Sequence, residues 1–581
     1  MKCRLSIILC VVLFVIDSDG AVVFPADENV TYPEVHSPVG HIRGLRAEDG
    51  NYSMFMGIPY AQIDPDNLFG NAKPYRKFES TFDAFDDSSI CPQEEEFNYT
   101  IVGSLDCLHI NVYVPDSASD QNRLPVFVWI FGGGFSIGFP GKFLYGPSFL
   151  VRHDIILVTI NYRLGPYGFM CLDIPEVPGN QGLKDQVMAL KWIRDNIEAF
   201  GGDNTRITIG GNSAGGMAAD LHLYYGEDEN LFHKMILQSG VSLIRGTVGR
   251  PDPNAPFELA KHLNHNSSDV KDALSFLATV DPHQLIAATL ELEMSNFIPC
   301  IENQFENVQI FITEHPLNTN VPLIKDINVL IGLTNEEMCH AVAQFPDIMF
   351  QFVDFVQVCI NMNFDFEDED EFYAQMHEIV THFYFGDQDN NISAEFKQQV
   401  LELMSDFFIN YPILRTVKKY LENAVQTMYL YMFSYSGGRN FSKHRVNITG
   451  GGASHADELG YLFDISYMDK PLDPEDQLIV DRITELWANF VKYGNPTPEP
   501  TELIPVVWQP VTRDKWHYLE LDTELRVATR PFHARTAFLD LFYKHNEIYE
   551  IGYRTEPSSG SNLVLDLSLP LIMFLVFYFL Q

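Results

Sequence analysis

Gly211-Asn212-Ser213-Ala214-Gly215 is the pentapeptide whose residue types and spacing most directly imply chemistry. A serine held in G-x-S-x-G is the pattern of a nucleophile elbow, where the glycines allow a turn tight enough to expose the hydroxyl. The pattern is short, so its context carries the argument. It follows the apolar run RITIG at 206–210 and precedes Gly216-Met217-Ala218-Ala219, which can start a helix. A serine there heads the helix, and the backbone N–H of Ala214 points where an oxyanion would form. A second cluster, Gly132-Gly133-Gly134, ends another apolar run. The cluster is a candidate source of further oxyanion donors, because N–H groups without side chains beside them can approach a substrate closely.

A serine hydroxyl needs a base, and the base needs an acid to orient it. Among 18 histidines, His455 stands out in Gly452-Ala453-Ser454-His455-Ala456-Asp457-Glu458, after a strand-like segment and a glycine-rich turn. Glu336 and Glu337 follow the apolar run NVLIGL and are the acid candidates. Serine, acid, histidine is the chain order expected where the nucleophile sits on a strand-to-helix elbow. The chemistry is acyl transfer through a serine ester, with no cofactor. No group of residues has the spacing of a zinc site.

These residues need a rigid frame. LPVFVWIF at 124–131 and DIILVTIN at 154–161 read as fully buried strands of a mostly parallel sheet. Between 183 and 200, Val187, Leu190, Ile193 and Ile197 recur at helical spacing, and further strands are expected at 328–333 and 428–435. Repeated strand–helix–strand units predict an α/β fold, a mostly parallel central sheet flanked by helices, in one catalytic domain over 24–555.

The chain has 581 residues, 46% hydrophobic and 20% charged, enough to bury a large core. Its 78 acidic against 38 basic residues give a net charge of −40, which excludes nucleic acid as a partner. Lys2 and Arg4, an apolar stretch over 5–16, and the small residues Ser18 and Gly20 read as an export signal over 1–20. Export permits disulfides and makes the sequons at Asn29, Asn51, Asn98, Asn266, Asn391, Asn440 and Asn447 candidate glycan sites. Cys91 and Cys107 bracket an acidic loop suited to a surface disulfide. Cys339 and Cys359 form a second candidate pair, while Cys171 and Cys300 sit in contexts typical of buried thiols. Residues 556–581 combine a small-residue spacer with an apolar tail whose only charge is Asp566. That pattern fits a glycosylphosphatidylinositol attachment signal, with a tail anchor or a retained helix as alternatives. No feature of the sequence fixes an oligomeric state.

From about Val35 to Asp540 the chain resembles the carboxylesterase/cholinesterase family, and most of all insect carboxylesterases. The resemblance rests on SLDCLHINVYVP at 104–115, WIFGGGFSIG at 129–138, NYRLGPYGF at 161–169, and GNQGLKDQVMALKWIRDNIEAFGGDNTRITIGGNSAGG at 179–216. It continues in MILQSG at 235–240, GASHADELGYLF at 452–463 and LWANFVKYGNPTP at 486–498. It implies an α/β-hydrolase fold, a Ser213–Glu337–His455 triad, and oxyanion donors at Gly133, Gly134 and Ala214. It also implies a Cys91–Cys107 disulfide and a structural Arg163–Asp185 pair. The implied function is a secreted or surface-anchored serine carboxylesterase acting on small uncharged esters. Several positions depart from the family pattern. The loop between Cys91 and Cys107 lacks the tryptophan that holds a quaternary ammonium in cholinesterases. Asn212 stands where many members have Glu, Phe131 where many have His, Leu105 where an acidic residue is usual, and Val241 where Ser is common. No cysteine falls between 241 and 299. Two other readings stay open: a non-catalytic adhesion protein, and a scavenger that acylates once and deacylates slowly.

Overall fold

A computed structural model describes residues 32–225, 230–294, 297–366, 371–387, 392–468 and 471–551, together with the short strands Val15–Ile16 and Val22–Val23. Apart from Val15–Ile16, the expected export signal lies outside the described residues, as do the tail 556–581, Asn29 and Asn391.

Segments that are apolar without alternation become inner strands, because a sheet covered on both faces leaves no residue facing water. Among the described residues, the main sheet has eleven strands. In chain order they are β1 (Leu45–Arg46), β2 (Tyr52–Pro59), β3 (His109–Pro115), β4 (Leu124–Ile130), β5 (Ile156–Ile160) and β6 (Gly202–Asn212). They continue with β7 (Lys234–Gln238), β8 (Asn328–Thr334), β9 (Thr427–Phe433), β10 (His517–Leu521) and β11 (Arg526–Thr529). The spatial order is β11-β10-β9-β8-β7-β6-β4-β5-β3-β2-β1. Neighbours from β5 through β10 run parallel, and the edges are antiparallel. This is the expected α/β-hydrolase architecture.

The amphipathic stretch after residue 180 forms α1 (Gln181–Asn196), continued by a single 3₁₀ turn, Ile197–Phe200. Val187, Leu190, Ile193 and Ile197 are all fully buried, as their spacing predicts. α1 also buries charge. Asp185 receives Arg163 through Nε and Nη2, both at 2.7 Å, with neither side chain exposed. Such a pair costs desolvation that its geometry must offset, and here it ties α1 to the loop after β5.

The register sets the active end. Ile130 lies opposite Gly211, Asn212 opposite Gln238, and Gln238 opposite Gly332. The carboxyl ends of β4, β6, β7 and β8 are therefore level, and the loops leaving them meet in one crevice, where ligands bind in open α/β sheets.

One cysteine expectation is overturned. Cys171 and Cys300 form a disulfide, while Cys339 and Cys359 are buried free thiols in two different helices. Asp252 N–H donates to the Cys171 carbonyl at 2.8 Å, and the Asn180 side chain grips Cys300 at both its N–H and its carbonyl. These contacts bring together two segments that are distant in sequence. Cys91 and Cys107 are joined as the resemblance implied.

Candidate active site

β6 ends at Asn212, and α2 (Ala214–Leu221) begins one residue after Ser213. Ser213 takes φ 55 and ψ −127, a conformation that costs a non-glycine residue energy and persists only where its surroundings enforce it. Here the surroundings are backbone. Ser213 N–H donates to Gln238 O, and Met217 N–H donates to Ser213 O, each at 2.9 Å. A methyl on Gly215 would run into the carbonyl oxygens of Ile130 and Phe131, so α2 can lie this close to β4 only because that residue is glycine.

The glycine run leaving β4 lies beside the elbow. A Cβ on Gly132 would fall 3.2 Å from Ser213 Cβ. Gly133 and Gly134 both take positive φ, 114 and 58. Phe131 is fully buried, its ring stacked 4.5 Å from Tyr162, whose hydroxyl donates to the Phe131 carbonyl at 2.9 Å. The position where many family members have histidine is thus a packing position here.

His455 and Glu337 meet across 118 positions of sequence, with His455 Nδ1 at 2.8 Å from Glu337 Oε2. The other carboxylate oxygen of Glu337 accepts from Ser239 Oγ and Thr334 N–H, both at 2.7 Å. His455 N–H donates to the Glu337 carbonyl at 2.9 Å, so backbone and side chain fix the same pairing. Among the described residues, buried His455 Nε2 has no hydrogen-bond partner. Glu336 points elsewhere, accepting Gly452 N–H at 2.7 Å and Gln398 at 3.2 Å. Ser213, His455, Gly132 and Gly133 line one cleft, a cavity of about 40 Å³.

The His455 loop is held from beneath by the segment containing Asn440. Asn440 Nδ2 donates to Asp457 at 2.8 Å, Ser442 Oγ donates to the His455 carbonyl at 2.5 Å, and Ser454 N–H donates to Asp457 at 2.6 Å. Burial pushes the Asp457 carboxyl up to about 6 against those hydrogen bonds. The expectation of a glycan on Asn440 is corrected by this packing: the side chain is buried and its amide nitrogen is already engaged. Asn51, Asn98, Asn266 and Asn447 are exposed.

Several residues of the site escaped the sequence reading. Ser239 lies in the MILQSG block, but its bond to Glu337 spans 98 positions. Glu458 is fully buried behind the nucleophile, accepting Gln238 Nε2 at 2.9 Å and Asn212 Nδ2 at 3.2 Å. Trp487 completes the chain by donating to Gln238 Oε1 at 2.9 Å. Asn212 thus holds a buried acid where a glutamate would confront it.

Comparisons with known proteins agree with this geometry. A family model described as the carboxylesterase family matches residues 31–539. The juvenile hormone esterase of Tribolium castaneum is 30% identical over 81% of this chain and 84% of its own length. That of Heliothis virescens is 28% identical over 81% of this chain and 87% of its own. The crystal structure of juvenile hormone esterase from Manduca sexta, with OTFP covalently attached, superposes with a TM-score of 0.76 at 27% identity. It covers 88% of this chain and 100% of that one.

Proposed function

The chain belongs to the carboxylesterase family, and from that premise we propose that it is a secreted or surface-anchored serine esterase that cleaves small uncharged esters through an acyl-enzyme on Ser213. The observation that carries this reading is the 2.8 Å contact of His455 Nδ1 with the buried Glu337, behind the cleft that His455 and Ser213 line. With Nδ1 engaged, Nε2 is the nitrogen left to serve the serine.

His455 Nε2 takes the proton of Ser213 Oγ as the oxygen attacks the ester carbonyl carbon. The negative charge on the carbonyl oxygen is met by the N–H groups of Gly133, Gly134 and Ala214. Collapse of this intermediate expels the alcohol, which leaves with the proton from His455. Water then attacks the acyl-serine by the same route, releasing the acid and restoring Ser213. Glu337 keeps the imidazole in place and stabilises its charged form, while Ser239 and Thr334 N–H keep Glu337 in place. Donors of the oxyanion type are worth about 3 kcal/mol each in such sites.

Two disulfides among the described residues support export, and the exposed Asn51, Asn98, Asn266 and Asn447 are the sites proposed to carry glycans. No helix among the described residues is long and apolar enough to cross a membrane. Attachment is assigned to the tail 556–581 and is tested by release from cells with a phosphatidylinositol-specific phospholipase.

The test of the chemistry is pre-steady-state hydrolysis of short nitrophenyl esters, with juvenile hormone set beside them because two relatives bear its name. A burst followed by turnover, lost in Ser213→Ala, is expected. A burst without turnover would identify a scavenger. Folded protein with neither burst nor turnover on any ester would leave the adhesion reading in its place.

A further inference from the structure

Two charged side chains join His455 in lining the cleft over Ser213: Glu96 and Arg445. Glu96 belongs to the loop closed by Cys91–Cys107, which lacks the tryptophan that the resemblance to cholinesterases would place there. Arg445 ends the short helix Phe441–Arg445 that leads to the His455 loop. The two are 349 positions apart in sequence, yet Arg445 Nη1 donates directly to Glu96 Oε2. Their side chains are only 18% and 12% exposed, Arg445 and Glu96 respectively.

The pair has an apolar backing that fixes its place. Phe97 packs edge-on against both Phe143 and Tyr467 at 5.5 Å, and Tyr467 lies 5.7 Å from His444 and 6.4 Å from Phe441. The Arg445 guanidinium sits over the Phe441 ring at 6.0 Å. Burial pushes the Glu96 carboxyl up, opposed by the Arg445 charge, as expected for a pair taken out of water. The aromatic strip therefore joins the disulfide loop to the helix Phe441–Arg445, and the ion pair spans the gap between them.

The cleft that the pair lines is small. A cavity of about 40 Å³ is far below the roughly 300–1,000 Å³ typical of drug-sized ligand pockets. A hydrocarbon chain that reached the pair would have to separate the carboxylate from the guanidinium, leaving each charge without its partner where water is scarce. A chain that stopped short would avoid that cost.

We propose that the Glu96–Arg445 pair is a specificity-determining cap, which restricts the ester groups accepted beside Ser213 to short ones. This inference rests on Ser213 being the nucleophile, and its test separates the two claims. The variant is Glu96→Leu with Arg445→Met, which removes both charges together and leaves neither unpaired. The parent and variant are compared on two ester series, nitrophenyl esters from acetate to decanoate and alkyl butyrates from methyl to octyl. The readout is the ratio of kcat/KM for the longest to the shortest ester, which does not depend on the fraction of protein folded. In at least one series the ratio is expected to rise by about tenfold or more, the discrimination that pocket length provides. The exchanged variant Glu96→Arg with Arg445→Glu keeps a pair across the gap and is expected to stay within about threefold of the parent ratio. Ratios unchanged by the Leu/Met variant in both series would overturn the cap. An exchanged variant as permissive as the Leu/Met one would overturn the ion pair as its basis. A folded parent with neither burst nor turnover on any ester, or turnover that survives Ser213→Ala, would instead overturn the nucleophile, and the cap would fall with it.

Discussion

At the scale of single residues, the site combines one carboxylate that is fully served with another that is not. Glu337 has accepted bonds on both oxygens and a histidine as partner. Glu458, equally buried, accepts two amides on Oε1, and its Oε2 has no hydrogen-bond partner among the described residues. Burial raises the Glu458 carboxyl from its ordinary 4.5 to about 7, and the nearby Glu337 charge pushes the same way. The sign of the linkage follows. Below 4.5 the group is protonated both folded and unfolded and has no effect; between 4.5 and 7 the unfolded chain releases its proton first. Stability is therefore lost as pH rises through that window, by about 3 kcal/mol once both states are ionised. Glu458→Gln places an amide nitrogen at the unpartnered oxygen and keeps an acceptor for Gln238 and Asn212. Its stability, followed by chemical unfolding from pH 5 to 8.5, is expected to fall less with pH than the parent's. Parallel curves would mean that Glu458 ionises without cost in the folded protein. Glu458 stands in one of the blocks that carry the family resemblance, yet its burial follows from β7 and Trp487, which no local pattern connects to it.

At the scale of elements, the elbow shows how packing holds a strained serine. α2 passes β4 so closely that Gly215 has room for no side chain, and the obstacle is backbone, which cannot rotate away. Gly215→Ala is expected to cost about 1–3 kcal/mol and to lose most esterase activity, because relief requires α2 to retreat and carry Ser213 with it. Gly249→Ala serves as the control: a methyl there meets the flexible Ile298 side chain at 3.2 Å, and activity should persist. Equal activity in the two variants would show that the elbow tolerates displacement. The elements themselves were largely readable. LPVFVWIF and DIILVTIN mark β4 and β5 because an unbroken apolar run suits a strand covered on both faces. β6 runs longer than RITIG suggests, since Leu124 pairs with Gly202 and draws a polar stretch into the sheet. Its first residues have no periodicity to betray them, and pairing with a neighbour decides their conformation.

At the scale of the whole molecule, cysteine pairing was the least legible feature, because Cys339 and Cys359 were the candidate pair and the apolar contexts of Cys171 and Cys300 suggested buried thiols, while the fold joins Cys171 to Cys300. The two disulfides close loops of very different size, with separations of 16 and 129 residues. In the chain-entropy account they restrain the unfolded chain by about 3 and 5 kcal/mol respectively. Their positions differ as much as their lengths. Cys171–Cys300 binds the segment after β5 to one that also grips Asn180, at the head of α1. Cys91–Cys107 closes only the loop that presents Glu96 to the cleft. Removing each pair as a double serine variant should therefore separate stability from selectivity. Cys171→Ser with Cys300→Ser is expected to lose about 2 kcal/mol more in denaturant unfolding than Cys91→Ser with Cys107→Ser. The latter should instead loosen the loop and raise the ratio of long- to short-ester kcat/KM. If its selectivity stayed at the parent value, the aromatic strip of Phe97, Phe143 and Tyr467 would be sufficient to hold Glu96 in place. If the two variants lost equal stability, the cost of the longer bridge would be offset by structure that the unfolded chain retains.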